Sequence, residues 1–280
     1  MTKNSVYLLK RGGGMVVEET NGRIVSVHRF PSPNPQVELK LVTYLSGGLK
    51  VKGMLAVPKN REVAEGFLYL RGGIKGVGKV RPARIAQFAA EGFAVFAPFY
   101  RGNQGGEGYE DFAGEDREDA FSGFLLLQSL TGIERVHVFG FSRGGVMALL
   151  TGLQFPECAS VVTWGGVSDM ELTYLEREDL RRMMKRVIGG TPRKYPMRYK
   201  ERTPLHELDR LQSPVLIIHG VHDRNVSVEH AYRLERRLIT LDKPVEAWYF
   251  PDYTHYFPPA VNRKVVEDLG KWVKRMPNKC

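Results

Sequence analysis

A serine hydroxyl becomes a useful nucleophile only when a base takes its proton and a carboxylate holds that base in the right tautomer. The residues to look for are therefore serine, histidine and an acid placed to converge. Ser142 lies in Gly140-Phe141-Ser142-Arg143-Gly144-Gly145, between the apolar strand-like run Val136–Phe139 and the apolar helix-like run Val146–Leu150. Gly-x-Ser-x-Gly at such a junction sets the serine on a sharp turn whose neighbours cannot carry side chains without striking the strand or the helix. The turn also aims the backbone N–H of Arg143, at the positive end of the following helix, toward negative charge forming beside Ser142. A serine in an ordinary strand–helix turn would share the five-residue pattern, and it is the strand before and the helix after that favour the nucleophile.

Of the seven histidines, His28 and His137 fall in an edge region and inside a strand, His206 in an irregular stretch and His230 within a helix. Each of these has a structural explanation. His255 differs, because it sits in Phe250-Pro251-Asp252-Tyr253-Thr254-His255-Tyr256-Phe257-Pro258, a turn-rich run between the last strand and the last helix. A side chain there can return to the sheet edge. Asp223 follows the apolar run Val215–His219, again at the carboxyl end of a strand. Ser142, Asp223 and His255 thus occur in the order serine, acid, histidine that such triads follow on α/β sheets. Asp169, after the strand that ends at Trp164, is a rival acid; Glu229, inside a helix, is a less suitable one.

Two other patterns are weighed and set aside. His219 and His222 beside Asp223 lack a third ligand and a helical spacing, so no metal is expected. Gly73-Ile74-Lys75-Gly76-Val77-Gly78-Lys79-Val80 has the spacing of a phosphate-binding loop, but Val80 stands where a magnesium-binding hydroxyl is required, and no nucleotide or other cofactor is expected. A better use of Arg71-Gly72-Gly73 is to offer a bare backbone N–H, from Gly73 or from Ile74, that joins the N–H of Arg143 in an oxyanion hole.

The elements that must hold these residues are also readable. Val37–Leu45 and Leu49–Val57 alternate around Ser46-Gly47-Gly48 as a hairpin. Buried strands follow at Gly66–Leu70, Phe93–Ala97, Arg135–Phe139, Ala159–Trp164, Val215–His219 and Val245–Phe250, with helical stretches between them. That alternation predicts an α/β fold with a mostly parallel, eight-stranded sheet covered by helices on both faces and an antiparallel amino-terminal edge. Short strands at Val6–Leu9 and Ile24–Val27, with a Gly12–Gly14 turn between them, are a weaker expectation. The regularity lapses over 168–211, where Glu171–Ile188 is helical and charged and Gly189-Gly190-Thr191-Pro192 stops it. This is expected to be a small insertion after the sixth strand, over the carboxyl edge where open α/β sheets bind ligands. One domain over 1–280 is expected, with 1–35 as an extension at its edge.

With 280 residues and 42% hydrophobic content the chain can bury a large core. Its net charge of +10 is spread along the sequence. The densest patch, Arg177–Arg193, has no interleaved aromatic residues of the kind that stack nucleic-acid bases, so no nucleic-acid partner is expected. Cys158 and Cys280 form neither a disulfide framework nor a zinc spacing, which suits a reducing compartment. Met1-Thr2-Lys3-Asn4-Ser5 lacks the apolar core of a signal peptide, and no run approaches the ~20 apolar residues of a membrane span. A cytoplasmic enzyme with a small-molecule partner and no membrane is expected, and the sequence says nothing of its oligomeric state.

Taken together, Phe99-Tyr100-Arg101-Gly102-Asn103-Gln104-Gly105-Gly106, the Ser142 motif, Thr203-Pro204-Leu205, Pro214–Gly220 and the run from Asp223 to His255 resemble the prolyl oligopeptidase-like branch of the α/β-hydrolase superfamily. The resemblance implies that Ser142 is the nucleophile, Asp223 the acid and His255 the base, with the N–H groups of Gly73 and Arg143 as oxyanion donors. Two departures stand out. Arg71 takes the place of the histidine that the family usually carries in a His-Gly-Gly loop, which opens the question of how Gly73 is held. The residues before Gly66 are also too few to form the β-propeller of the family's peptidases. Cleavage of a small ester or other acyl compound through an acyl-enzyme is therefore expected ahead of peptide cleavage. A small serine peptidase and a non-catalytic binding protein of the same fold are the alternatives.

Overall fold

A computed structural model describes residues 21–59 and 61–276; the expected strand at Val6–Leu9 and the Gly12–Gly14 turn lie outside the described residues. The amino-terminal part is an antiparallel meander of β1 (Ile24–Phe30), β2 (Val37–Ser46) and β3 (Leu49–Pro58). Ser46 pairs with Leu49, leaving Gly47-Gly48 as a two-residue loop with φ of 54° and 78°. Left-handed backbone at both loop positions is what a type I′ hairpin turn needs, and glycine adopts it without steric cost.

From residue 65 the chain alternates strand and helix: β4 (Glu65–Leu70), α1 (Pro82–Ala90), β5 (Ala94–Pro98), α2 (Arg117–Ser129), β6 (Arg135–Phe141), α3 (Gly144–Gln154) and β7 (Ser160–Trp164). After an insertion come β8 (Val215–Gly220), α7 (Glu229–Thr240), β9 (Val245–Phe250) and α8 (Pro259–Lys274). The sheet order is β1-β2-β3-β5-β4-β6-β7-β8-β9, antiparallel from β1 to β5 and parallel from β5 to β9. Among the described residues the sheet has nine strands: the eight expected with most support, and β1, where the weaker expectation of a strand at Ile24–Val27 is met. The insertion accordingly follows the seventh strand of the sheet.

Strand residues alternate between two cores, as the period of two requires. Leu68, Leu70, Phe96, Val138 and Ile217 face the core shared with α2, α3 and α7, while Phe67, Tyr69, Val95, Phe139 and Ile218 face the core shared with α1 and α8. The chain leaves β4 toward β5 by way of α1 on one face and returns to β6 by way of α2 on the other. The loops after β4 and β6 therefore part from each other at a topological switch point, where open sheets form a crevice. In the insertion the predicted helix is divided at Arg177 into α4 (Met170–Glu176) and α5 (Glu178–Met184), with α6 (Pro196–Lys200) beyond. No helix among the described residues is long and apolar enough to cross a membrane.

Candidate active site

Ser142 is the residue after β6 and has φ of +57°. A non-glycine residue in the left-handed region is strained by about 1–3 kcal/mol, and the packing around it must hold it there. A Cβ on Gly144 would overlap the carbonyl oxygen of Leu70, and one on Gly145 would stand 2.7 Å from Gly166 Cα. Backbone meets backbone on both sides of the turn, which explains the paired glycines. The backbone of Ser142 is fixed from the neighbouring strand, its N–H donating to Trp164 O (3.1 Å) and its C=O accepting from Val167 N (2.9 Å).

Asp223 and His255 meet. His255 Nδ1 lies 2.6 Å from Asp223 Oδ2, and both residues are buried. Asp223 Oδ1 accepts from the N–H groups of Asn225 (2.8 Å) and Val226 (3.0 Å). An ionised carboxylate can only accept, so Nδ1 carries the imidazole proton and Nε2 is left as the basic nitrogen. The loop that bears His255 reaches the end of β8 because residue 220 is glycine: a Cβ there would collide with the carbonyl oxygens of Tyr253 and Thr254. In its absence His222 N donates to Tyr253 O at 3.0 Å.

The serine and the imidazole stand on adjacent loops. A methyl group at Gly165, next to the Trp164 that binds Ser142, would be 3.1 Å from His255 Nδ1, and the ring of Phe141 lies 4.7 Å from the imidazole. Ser142 Oγ is not hydrogen-bonded to His255 in this arrangement. Such bonds often tighten only with substrate present. His219 donates through Nε2 to Val226 O (2.9 Å), with its Nδ1 buried and unpartnered. Burial holds its pKa below the usual histidine value, so it stays neutral 3.6 Å from Asp223 Oδ2.

The rivals have other duties. Asp169 caps α4, accepting from Glu171 N (2.9 Å) and Leu172 N (3.0 Å), and pairs with Arg233 (2.8 Å). Glu229 is bound to the same arginine at 2.9 Å. The insertion does meet the Asp223 loop, through Arg177 Nη1 on Asn225 O (2.6 Å) and Ser227 Oγ on Glu176 Oε1 (2.7 Å). Arg177 also pairs with Asp179, so part of the basic patch is consumed internally.

Behind the turn lies a buried ion cluster with no counterpart in the sequence reading. The guanidinium of Arg143 turns inward to Glu110 (2.7 Å) and Asp116 (2.7 Å), and that of Arg71 reaches Glu110 (3.0 Å) and Phe99 O (2.8 Å). The fully buried ring of Tyr100 lies within 4.9 Å of both guanidinium carbons. Burial pushes Asp116 up to about 6 and the Tyr100 hydroxyl above its usual range, while the adjacent Arg143 pulls both down. Arg71 therefore points into this cluster. The run it starts still passes the serine, since a Cβ on Gly72 would stand 3.1 Å from Ser142 Oγ. Glu110 and Asp116 lie in an aperiodic loop and find their arginines 33 and 27 residues away in sequence, so no local pattern announces them.

A sequence model of the prolyl oligopeptidase family matches residues 79–280. The chain belongs to the prolyl oligopeptidase family. It is a family of serine hydrolases, and the sheet described above is the α/β-hydrolase sheet. Within the family, the chain is 61% identical over 254 residues to a protein of Bacillus subtilis (strain 168) named uncharacterized peptidase YtmA, covering 90% of this chain and 99% of that one. The fold is similar to that of the Pyrococcus horikoshii acylaminoacyl peptidase, with a TM-score of 0.75, 21% identity, and coverage of 88% of this chain and 43% of that one. The chain thus spans less than half the length of that peptidase. It is also similar to acetyl xylan esterase 1 from Thermoanaerobacterium sp. JW/SL YS485, with a TM-score of 0.67, 15% identity, and coverage of 88% of this chain and 87% of that one.

Proposed function

We propose that this serine hydrolase cleaves small acyl compounds, esters first, through an acyl-enzyme on Ser142. The observation that carries the reading is the 2.6 Å contact of His255 Nδ1 with a carboxylate that is already fixed by two backbone N–H groups. An imidazole held in that tautomer keeps Nε2 free to take the proton of the strained serine beside it. Ser142 then attacks the acyl carbon, and His255 returns the proton to the departing alkoxide. The oxyanion is held by the N–H of Arg143, at the start of an 11-residue helix, together with that of Gly73. Water activated by the same imidazole releases the acid and restores Ser142.

An ester is favoured because the two carboxylates behind the turn, Glu110 and Asp116, are both bound to guanidinium groups and offer nothing to the ammonium of a free peptide amino terminus. The name of the Bacillus relative, which covers nearly the whole of both chains, supports the second reading, hydrolysis of a small peptide or acylamino amide. A panel of short p-nitrophenyl esters, acylaminoacyl anilides and free aminoacyl anilides separates the two, with Ser142→Ala as control. Ester turnover well above that of both anilide classes, lost in Ser142→Ala, is the expected outcome. Anilide turnover equal to or above ester turnover selects the peptidase, and no turnover of any of them leaves a binding protein.

A further inference from the structure

We propose that Glu110 is a positioning residue that sets both backbone donors of the oxyanion hole at once, an inference that rests on the serine-hydrolase reading above. Its carboxylate is fully buried and accepts four hydrogen bonds from three separate loops. Oε1 takes Arg71 Nη2 (3.0 Å) and Arg143 Nη2 (2.7 Å), and Oε2 takes the backbone N–H of Lys75 and Asn103 Nδ2 (2.9 Å).

The arrangement matters because of what these partners carry. Arg143 is the residue whose own N–H points toward charge developing at Ser142. Arg71 and Lys75 are the two ends of the run that contains Gly73 and Ile74, so the second donor, whichever of the two supplies it, is gripped on both sides by the same carboxylate. Asn103 braces that carboxylate from the loop after β5. The ring of Tyr100 fills the space between the two guanidinium groups, and its hydroxyl reaches Arg71 O at 3.4 Å. With Asp116 on the far side of Arg143, two positive and two negative groups balance in a place closed to water. Displacing Glu110 moves one donor relative to the other and both relative to the serine. The cluster also accounts for arginine at position 71: its guanidinium ties the loop to Glu110, to Phe99 O and to the loop's own Gly72 O (3.0 Å).

The test is Glu110→Gln, assayed on a p-nitrophenyl ester and on the matching thionoester, in which sulfur replaces the carbonyl oxygen and accepts hydrogen bonds poorly. The amide can still accept on one side but cannot accept from Lys75 N–H on the other. One oxyanion donor is worth about 10²–10³ in kcat, so misplacing it is expected to lower kcat by roughly 30-fold or more with KM within about threefold. The ester-to-thionoester preference is expected to fall with it. A kcat within threefold of wild type overturns the proposal, as does a fall in kcat with the preference unchanged, which is the mark of a merely structural role. If Glu110→Gln does not fold, Arg71→Met keeps Glu110 paired with Arg143 and loosens one end of the loop; the preference must then fall as well, and an unchanged preference counts against the proposal. Ser142→Ala keeps the two ideas apart: undiminished turnover there refutes the serine reading, whereas an inert Ser142→Ala with an unaltered preference in Glu110→Gln refutes only the role of Glu110.

Discussion

Replacing Asp223 by asparagine should silence the enzyme almost without altering its shape. The two N–H groups of Asn225 and Val226 that bind Oδ1 require an acceptor, so the amide must keep its oxygen there and turn its NH₂ toward His255. At 2.6 Å that NH₂ can coexist with Nδ1 only if Nδ1 gives up its proton, and the imidazole must then carry its hydrogen on Nε2. An imidazole in that tautomer cannot accept the proton of Ser142. Loss of the correct tautomer in serine hydrolases lowers kcat by about 10⁴, equivalent to ~5.5 kcal/mol at the transition state. Folding exchanges three charge-assisted hydrogen bonds, from His255 Nδ1 and the N–H groups of Asn225 and Val226, for neutral ones, a difference of about 2–4 kcal/mol, or roughly 5–10 °C in Tm. The assay is steady-state hydrolysis of a p-nitrophenyl ester beside a thermal melt. A kcat within tenfold of wild type in a folded Asp223→Asn protein would show instead that His255 needs no carboxylate to orient it.

Other consequences follow from named contacts. Asp169→Ala should leave kcat within threefold of wild type and lower stability by about 1 kcal/mol, since the residue caps α4 and pairs with Arg233; a large fall in kcat would return Asp169 to contention as the acid. Burial lowers the pKa of His230 to about 4, and Ser168 N and Asp169 N both face its Nδ1, at 3.3 and 3.4 Å. The unfolded chain takes up that proton near pH 6.5, so the contribution of neutral His230 is present above pH 6.5 and is lost as the pH falls toward 4, by up to ~3 kcal/mol. In His230→Asn the slope of denaturation midpoint against pH should flatten between pH 4 and 6.5. Gly144→Ala should fail to accumulate as folded protein or melt many degrees lower, because its Cβ meets the fixed oxygen of Leu70; a wild-type melt would mean that the turn can relax.

The placement of much of the candidate site is legible in the sequence because it rests on short, local patterns. The paired glycines around Ser142, the apolar runs that end at Asp223, and the turn-rich stretch around His255 all mark carboxyl ends of strands, and β6, β8 and β9 deliver them there. The hairpin was readable for the same reason, since Gly47-Gly48 fixes its register. The helix expected over Glu171–Ile188 was divided instead, because Arg177 leaves helical geometry (φ −106°, ψ 80°) and its side chain binds Asp179 and Asn225 O. Composition and periodicity cannot foresee a tertiary bond of that kind. The same holds for Glu110 and Asp116, whose partners are distant in sequence and whose burial is explained only once Arg71 and Arg143 are seen to turn inward. The position of Asp169 after a strand makes it a rival acid in the sequence, and only its hydrogen bonds reveal a helix cap.

The most direct test of Ser142 as the nucleophile is to trap the enzyme with a fluorophosphonate and locate the adduct by mass spectrometry of its peptides. A single adduct is expected on the peptide containing Ser142, formed in step with loss of ester turnover and absent from Ser142→Ala. An adduct on a different residue, or labelling of Ser142→Ala at the wild-type rate, would contradict it.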